Sequence, residues 1–454
     1  MLDQSFSAEN FQRIWDLRTR RGENLSPYFP KVAAASDELR SASADLKDRL
    51  RIVAPEKVDF DLQVARYSEL KDSARLHRNQ LVAEHLAGVA LEANQRIDSG
   101  ELKIALQPGR TVRGKNTYRL DLADTASYFI SRQLETNLKF AFGLKPPNRN
   151  LAAEQLFLAL DDTTEKIVVR TDIRSFYESI PHDRLRDILR RSPVLSRTTC
   201  RFVDMLLNDY ALRNGSPRGL PRGVGVSAAL AEAYLSQLDE DFLGMPDVLF
   251  YVRYVDDIVV IFSGSQHHPS IDSRKGQVRE RLTRTGLLMN PAKTRYLSVS
   301  RSTQKTQRFS YLGYEFTIEN AVVSVDISAK RERRYRKRID LAIESYLKSN
   351  QGGSAQQTFV DRIKFIVGNT RLSNNKRHAL IGIYYSNSLL KLASPKMRRL
   401  DSYLARKLTL AQLPKAVGDR LSNLGFQSGF NNHTFCSFSP RKMEQLVRVW
   451  KQDD

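Results

Sequence analysis

Leu249-Phe250-Tyr251-Val252-Arg253-Tyr254-Val255-Asp256-Asp257-Ile258-Val259-Val260-Ile261-Phe262 is the stretch whose reading decides the fold. One apolar run leads toward two adjacent aspartates, and a second run, dense in β-branched residues, leaves them. The stretch reads as a hairpin with a buried second strand and carboxylates at its turn. Upstream, Ile167-Val168-Val169 leads into Thr171-Asp172, 84 residues before Asp256. Between these strands, Ser227 to Phe242 reads as a helix with Leu230, Tyr234, Leu235 and Leu238 on one face. The order strand, helix, hairpin, helix, strand gives an α+β sheet with helices on one side. Adjacent aspartates in a tight turn repel one another unless a cation shares them, and hard oxygen ligands select Mg²⁺ or Mn²⁺. Two such ions can activate an attacking hydroxyl and steady a leaving pyrophosphate in an in-line displacement.

The rest of the chain supplies the context for that chemistry. With 454 residues, 41% hydrophobic and 27% charged, it can bury a sizeable core in several domains. Its net charge of +21 points to a polyanionic partner, nucleic acid ahead of an acidic membrane surface. Residues 326–454 hold 25 Lys+Arg against 10 Asp+Glu, which makes this end the expected nucleic-acid surface. Within it, Lys330, Arg331, Arg333, Arg334, Arg336, Lys337 and Arg338 open a helix whose apolar face is Ile339, Ile343 and Leu347; a merely solvated charged face is the plainer reading. Cys200 and Cys436 lack CxxC spacing, so neither a disulfide framework nor a zinc knuckle is expected, and a reducing cytoplasm fits. The first residues lack a signal-like pattern and no apolar run approaches the ~18 residues of a membrane span, so no membrane partner is expected.

Residues 1–100 read as a helical extension. Ser7 precedes a helix carrying Phe11, Ile14 and Trp15 and stopping at Gly22, and Leu81, Leu86, Val89 and Leu91 mark another. After Asp326 the pattern is helical again, interrupted at Gly352-Gly353-Ser354, Pro395 and Pro414.

From about Pro146 to Phe316 the chain resembles the reverse transcriptase family. Five strings carry the resemblance in the family's order: Thr171-Asp172-Ile173-Arg174-Ser175-Phe176-Tyr177, Gly219-Leu220-Pro221-Arg222-Gly223-Val224-Gly225-Val226-Ser227, Tyr254-Val255-Asp256-Asp257, Leu288-Met289-Asn290-Pro291-Ala292-Lys293-Thr294, and Phe309-Ser310-Tyr311-Leu312-Gly313-Tyr314. The resemblance implies an RNA-directed DNA polymerase with the right-hand fold: fingers over 101–170, palm over 171–325 and a basic helical thumb and C-terminal region over 326–454. It assigns catalysis to Asp172, Asp256 and Asp257, and two Mg²⁺ ions (or Mn²⁺) to these aspartates and the main-chain carbonyl of Ile173. It places Tyr177 under the incoming sugar, where a ring would clash with a 2′-hydroxyl. Lys293 and the fingers residue Arg149 would reach the triphosphate, while Arg222 and Gly223 would lie along the nucleotide. Tyr311, Leu312 and Gly313 would hold the 3′ end of the growing strand, with core packing as the plainer alternative. Arg222 departs from the family, which commonly has glutamine there, so nucleotide contacts at that point are expected to differ. Ser227 reads as a helix cap, and His182 as a structural histidine because the metals supply activation.

The opening Leu2-Asp3-Gln4-Ser5-Phe6-Ser7-Ala8-Glu9-Asn10-Phe11 and the helical extension look most like the type 3 defence-associated reverse transcriptases of bacteria, the smaller enzyme of their pair. That resemblance implies antiphage defence, a noncoding RNA template, deoxynucleoside triphosphate substrates, a DNA product and a second reverse transcriptase as partner. A retron or intron-type enzyme, and a non-catalytic RNA-binding protein on a polymerase fold, are the alternatives.

Overall fold

The structure, a computed structural model, describes residues 3–451 apart from 21–22, 26–27, 51–56, 103, 113, 121–123, 146–147, 163, 265–269, 301–305 and 373–378. The expected helix stop at Gly22 lies outside the described residues. The chain divides into two compact units, Met1–Lys145 with Ile180–Tyr234, and Pro146–Ser179 with Leu235–Asp454.

The first unit holds α1 (Ala8–Arg20), α2 (Pro30–Arg49), α3 (Lys57–Asp98), the short strands β1 (Leu106–Pro108) and β2 (Tyr118–Leu120), and α4 (Thr125–Ala141). It continues with α7 (His182–Arg191), α8 (Arg197–Asn214) and the start of α9 (Gly225–Leu243). Phe11 packs on Phe129 at 5.2 Å between ring centres and Trp15 on Phe29 at 5.3 Å, both buried in the core. On α3 the buried stripe is Val82, Leu86, Val89 and Ala93, and Leu91 is 62% exposed. The expected stripe ending at Leu91 is thereby corrected: steps of four, three and four follow the helical period, whereas Leu91 falls off the face. The opening string has structural work of its own. Buried Asn10 donates from Nδ2 to the carbonyls of Asp3 (3.3 Å) and Ser5 (2.9 Å), and Phe6 packs edge-on against Phe202 at 5.4 Å.

The second unit begins with α5 (Arg149–Leu160), β3 (Lys166–Asp172) and α6 (Phe176–Ser179), and takes up the chain again within α9. There follow β4 (Val248–Tyr254), β5 (Asp257–Ser263), α10 (Ile271–Arg284) and β6 (Arg295–Val299), forming an antiparallel sheet in the order β4-β5-β3-β6. Ile258 to Phe262 are fully buried, as their β-branched density predicts. Truncating one of them, Ile261→Ala for example, would cost about 2–5 kcal/mol. One face of the sheet is covered by helices: Phe242 of α9 stacks on Tyr251 at 5.0 Å, and the Arg274 guanidinium of α10 lies over Phe262. On the other face Val168, Val259 and Ile261 join a large apolar cluster with Ala153, Leu156 and Leu160 of α5, so helices pack on both faces and the expected one-sided cover is corrected. That cluster draws on a second sheet of β7 (Gln307–Tyr311), β8 (Tyr314–Glu319) and β9 (Val322–Ile327), and on α11 (Ala329–Leu347) and α12 (Gly353–Val367). The strand pair β10 (Asn369–Arg371) and β11 (Leu380–Gly382), then α13 (Pro395–Leu410), α14 (Lys415–Leu421), α15 (Phe426–Asn431) and α16 (Pro440–Lys451), complete the unit. Among the described residues no helix is long and apolar enough to cross a membrane.

Candidate active site and strand-end hairpin

Antiparallel register brings the carboxylates together. Asp172 on β3 faces Asp257 on β5, which in turn faces Tyr254 on β4. Directly paired residues share a face, so these three side chains form a row on the sheet face opposite α9 and α10. Between Tyr254 and Asp257 only Val255 and Asp256 turn the chain, and Val255 has φ of 60°. A β-branched residue is a strained occupant of that region. It is held there by Arg253, which donates from Nη1 to the Val255 carbonyl at 3.0 Å while its Nε and Nη2 grip both oxygens of Asp239 at 2.8 and 2.7 Å.

Main-chain bonds then lock three strings to one another. The Ile173 N–H donates to the Asp256 carbonyl (2.9 Å), the Asn290 N–H to the Asp172 carbonyl (2.8 Å) and the Arg174 N–H to the Leu288 carbonyl (2.8 Å). Side chains add to this. Asn290 Nδ2 and Lys293 Nζ meet the two oxygens of Asp172 at 3.2 and 2.9 Å, and Lys293 remains about half exposed. Asp257 is gripped by Arg170, whose Nε and Nη2 reach its two oxygens at 2.9 and 2.8 Å while Nη1 donates to the Lys293 carbonyl at 2.8 Å. Burial pushes the Asp257 carboxyl up to about 6 against the pull of Arg170, and the charges of Asp172 and Asp256 add to the rise. Reasoning from sequence missed Arg170. Its signal was the period of two: it shares a strand face with Asp172, two residues on.

Among the described residues no three His, Cys, Asp or Glu side chains converge into a preformed metal cage. The donors nevertheless fit a magnesium-type cation, because such an ion is commonly held by one or two carboxylates and completes its shell with water and substrate phosphates. Asp172, Asp256 and the Ile173 carbonyl are hard oxygens, and the negative charges of Asp172 and Asp256 both act on Asp257, a repulsion that a divalent cation relieves. Asp257, held on both oxygens by the single guanidinium of Arg170, is the least available of the three.

Of the nucleotide candidates, Tyr177 lies half-buried in α6 just beyond Ser175, whose φ of 46° turns the chain away from β3; its ring meets Phe176 edge-on at 5.6 Å. Arg149 opens α5, with its guanidinium on the Leu312 carbonyl (Nε at 2.9 Å) and against the Tyr314 ring at 5.3 Å. Arg222 and Gly223 belong to the first unit. There the Tyr118 N–H donates to the Arg222 carbonyl at 2.6 Å, and a Cβ on Gly223 (φ 93°) would sit 2.6 Å from the Tyr118 carbonyl, so only glycine fits. Gly223 also borders a cavity of about 290 Å³ lined by Tyr28, Arg119, Tyr128, Arg132 and Gly225. Ser227 does not cap α9, which starts two residues earlier; its buried hydroxyl donates to the Pro221 carbonyl at 2.8 Å and ties the loop to the helix. His182 is fully buried with Nε2 on the Gly219 carbonyl at 2.7 Å, a structural placement.

In the hairpin, Tyr311 is buried with no hydrogen-bond partner for its hydroxyl, and Leu312 and Gly313 form the turn. The basic run divides by helical phase. Lys330, Arg333, Arg334 and Lys337 are exposed at the i, i+3, i+4 and i+7 positions of α11. Arg331 is only 7% exposed, which corrects the expectation that all seven cations face solvent phosphates; it falls on the face with Tyr335, Ile339 and Ala342. Arg336 pairs with Glu332 at 2.8 Å and lies over Tyr403, and Arg338 lies over Trp450.

Residues 122–316 match the family described as reverse transcriptase (RNA-dependent DNA polymerase). No curated protein matches the chain. Among solved structures it is similar to apo telomerase from Candida tropicalis, at 10% identity over 88% of this chain and 76% of that one, with a TM-score of 0.37. Telomerase from Candida albicans in complex with a TWJ fragment of telomeric RNA matches at 11% identity over 77% of this chain and 62% of that one, with a TM-score of 0.33.

Proposed function

Because residues 122–316 are a reverse transcriptase domain, making the chain an RNA-directed DNA polymerase with the right-hand polymerase fold, we propose that it extends DNA on a structured noncoding RNA in bacterial antiphage defence. Asp172 and Asp256 carry the chemistry. The observation behind this is the direct main-chain bond from Ile173 to Asp256, which sets the Asp256 backbone beside the residue that follows Asp172. Asp172, Asp256 and the Ile173 carbonyl would hold the two Mg²⁺ ions (or Mn²⁺), which when bound lower the pKa of an attacking 3′-hydroxyl and offset charge on the pyrophosphate. Asp257, neutralised by Arg170, shapes the field around them. Lys293 faces the nucleotide phosphates, with an exposed ammonium that can pair with either phosphate or Asp172. Tyr177 stands beneath the sugar as a steric filter against the 2′-hydroxyl.

The strip of Lys330, Arg333, Arg334 and Lys337 grips the duplex backbone. These cations crowd the positive end of α11, where they oppose the helix dipole, so the arrangement is stabilised by an anionic partner. The Leu312-Gly313 hairpin holds the strand end, and the Ser328 N–H bonded to the Gly313 carbonyl at 2.9 Å joins it to the base of the same helix. The defence assignment, with a second reverse transcriptase as partner, rests on the opening string and the helical extension.

The test is labelled-deoxynucleotide incorporation with sequencing of the nucleic acid that copurifies. Asp172→Ala or Asp256→Ala should lower the rate by about three orders of magnitude or more and abolish phage protection, with RNA binding nearly intact. Incorporation at the parent rate by either variant would refute the assignment.

A further inference from the structure

Tyr311 and Tyr314 are register partners, so Leu312 and Gly313 alone turn the chain, and both have positive φ, 46° and 80°. That is the pattern of a type I′ turn, which favours Asn-Gly. Gly313 suits it, and a Cβ there would run into the Arg331 guanidinium. Leu312 does not suit it: a left-handed leucine costs about 1–2 kcal/mol and persists only where its surroundings over-determine it.

Two arginines supply that determination. Arg149 donates to the Leu312 carbonyl from Nε at 2.9 Å and again from Nη2, and Arg331 donates to the same oxygen from Nη2 at 3.2 Å. Both also reach the Ser386 carbonyl, at 3.5 and 3.1 Å, and Arg331 bonds the Asn387 side-chain oxygen. Both guanidiniums lie against the Tyr314 ring, 5.3 and 5.0 Å from its centre. Among the described residues neither has a carboxylate partner, so two like charges converge on one carbonyl with only neutral groups to hold them. At the aspartate hairpin Arg253 also bonds the carbonyl of a left-handed residue, Val255, there with Asp239 as its carboxylate partner.

We propose that Arg149 and Arg331 are positioning residues for strand extension, fixing the left-handed Leu312-Gly313 turn and through it the strand's 3′ end, without touching the nucleotide. This rests on the reading of residues 311–313 as the strand-end hairpin. It gives the fingers residue Arg149 a role different from triphosphate binding, and explains why Arg331 leaves the basic strip for the interior.

The full chain would be assayed on a primer–template with varied deoxynucleotide. Arg149→Met and Arg331→Met should each lower kcat by about tenfold or more, with nucleotide KM within about twofold and primer–template Kd within about threefold of the parent. Arg149→Lys, which keeps the charge and loses the fork, should remain slow. Leu312→Asn tolerates the left-handed region and should restore at least about a third of the parent kcat in the Arg149→Met background. A purely structural loss or a lost nucleotide contact would show no such rescue. If Arg331→Met does not fold, the Arg149→Met and Leu312→Asn pair decides alone. A raised nucleotide KM at unchanged kcat, or absence of rescue, would overturn the inference while the parent is active and Asp256→Ala inactive. A parent that extends no strand would remove the polymerase reading and this inference with it.

Discussion

Removing Lys330, Arg333, Arg334 and Lys337 together, each changed to glutamine, should flatten the salt dependence of duplex binding by an amount the structure sets. Four cations of the run are exposed on one face of α11, and the other three are turned inward or engaged with Glu332, Tyr403 and Trp450. Each phosphate contact contributes about 0.9 to the slope of log K against log salt, so four contacts contribute about 3.6. Raising salt from about 50 to about 200 mM, ~0.6 log units, should therefore weaken the parent by ~2 log units more than the fourfold variant. Fluorescence anisotropy with an RNA–DNA duplex at several salt concentrations measures this directly. Arg336→Gln with Arg338→Gln should change the slope by less than about 0.5, because those guanidiniums are already engaged. An unchanged slope in the fourfold variant, or an equal loss in the twofold one, would refute the division of the run into grip and scaffold.

Tyr177→Ala should raise ribonucleotide relative to deoxynucleotide incorporation by about tenfold or more, ~1.4 kcal/mol of lost discrimination, while Tyr177→Phe discriminates as the parent does; competition assays with both sugars would show it, and an Ala variant that still rejects ribonucleotides would place the filter elsewhere. Arg170→Met and Asp257→Asn should be non-additive in a double-mutant cycle on incorporation rate, with a coupling of about 1–3 kcal/mol, because each removes the other's partner; additive losses would show that the pair acts separately. Burial pulls the His182 imidazole below its ordinary value, with Arg186 adding to the depression and the Gly219 carbonyl and Asp183 opposing it. The unfolded chain therefore binds this proton more readily, so stability is fully present above about pH 6.5 and falls as pH drops below it. Replacing His182 by Gln should flatten denaturant midpoints measured across that range, and an unchanged profile would exclude His182 as their source.

Much of the candidate site is legible in the sequence because its logic is local. Strand ends marked by Ile167-Val168-Val169 and Ile258-Val259-Val260 place Asp172 and Asp257, and antiparallel pairing makes them neighbours. The basic run was legible as charge, and its division was also available, since steps of three and four separate Lys330, Arg333, Arg334 and Lys337 from Arg331, Tyr335 and Ile339. What could not be read was commitment at long range. Arg149 and Leu312 are 163 residues apart, and nothing near either announces that one holds the other. Ser227 is a related case: serine three residues before the apolar face that begins at Leu230 looks like a cap, but the helix gains two further residues at its start and the hydroxyl turns back to Pro221.

The bonds between Ile173 and Asp256, Asn290 and Asp172, and Arg174 and Leu288 run through peptide groups, and every amino acid except proline offers the same peptide donor. Substitutions among these neighbours therefore leave the alignment of the Asp172 and Asp256 segments almost untouched, provided no proline enters and the turn at Val255 can still form. A lineage carrying this centre can replace most of the surrounding side chains while its geometry stays fixed. Selection is then concentrated on the few positions where a carboxylate, a guanidinium or an unusual backbone angle is irreplaceable. A mutational scan across residues 170–175, 253–257 and 288–294 should accordingly show sharp intolerance at isolated positions, separated by stretches that accept broad exchange.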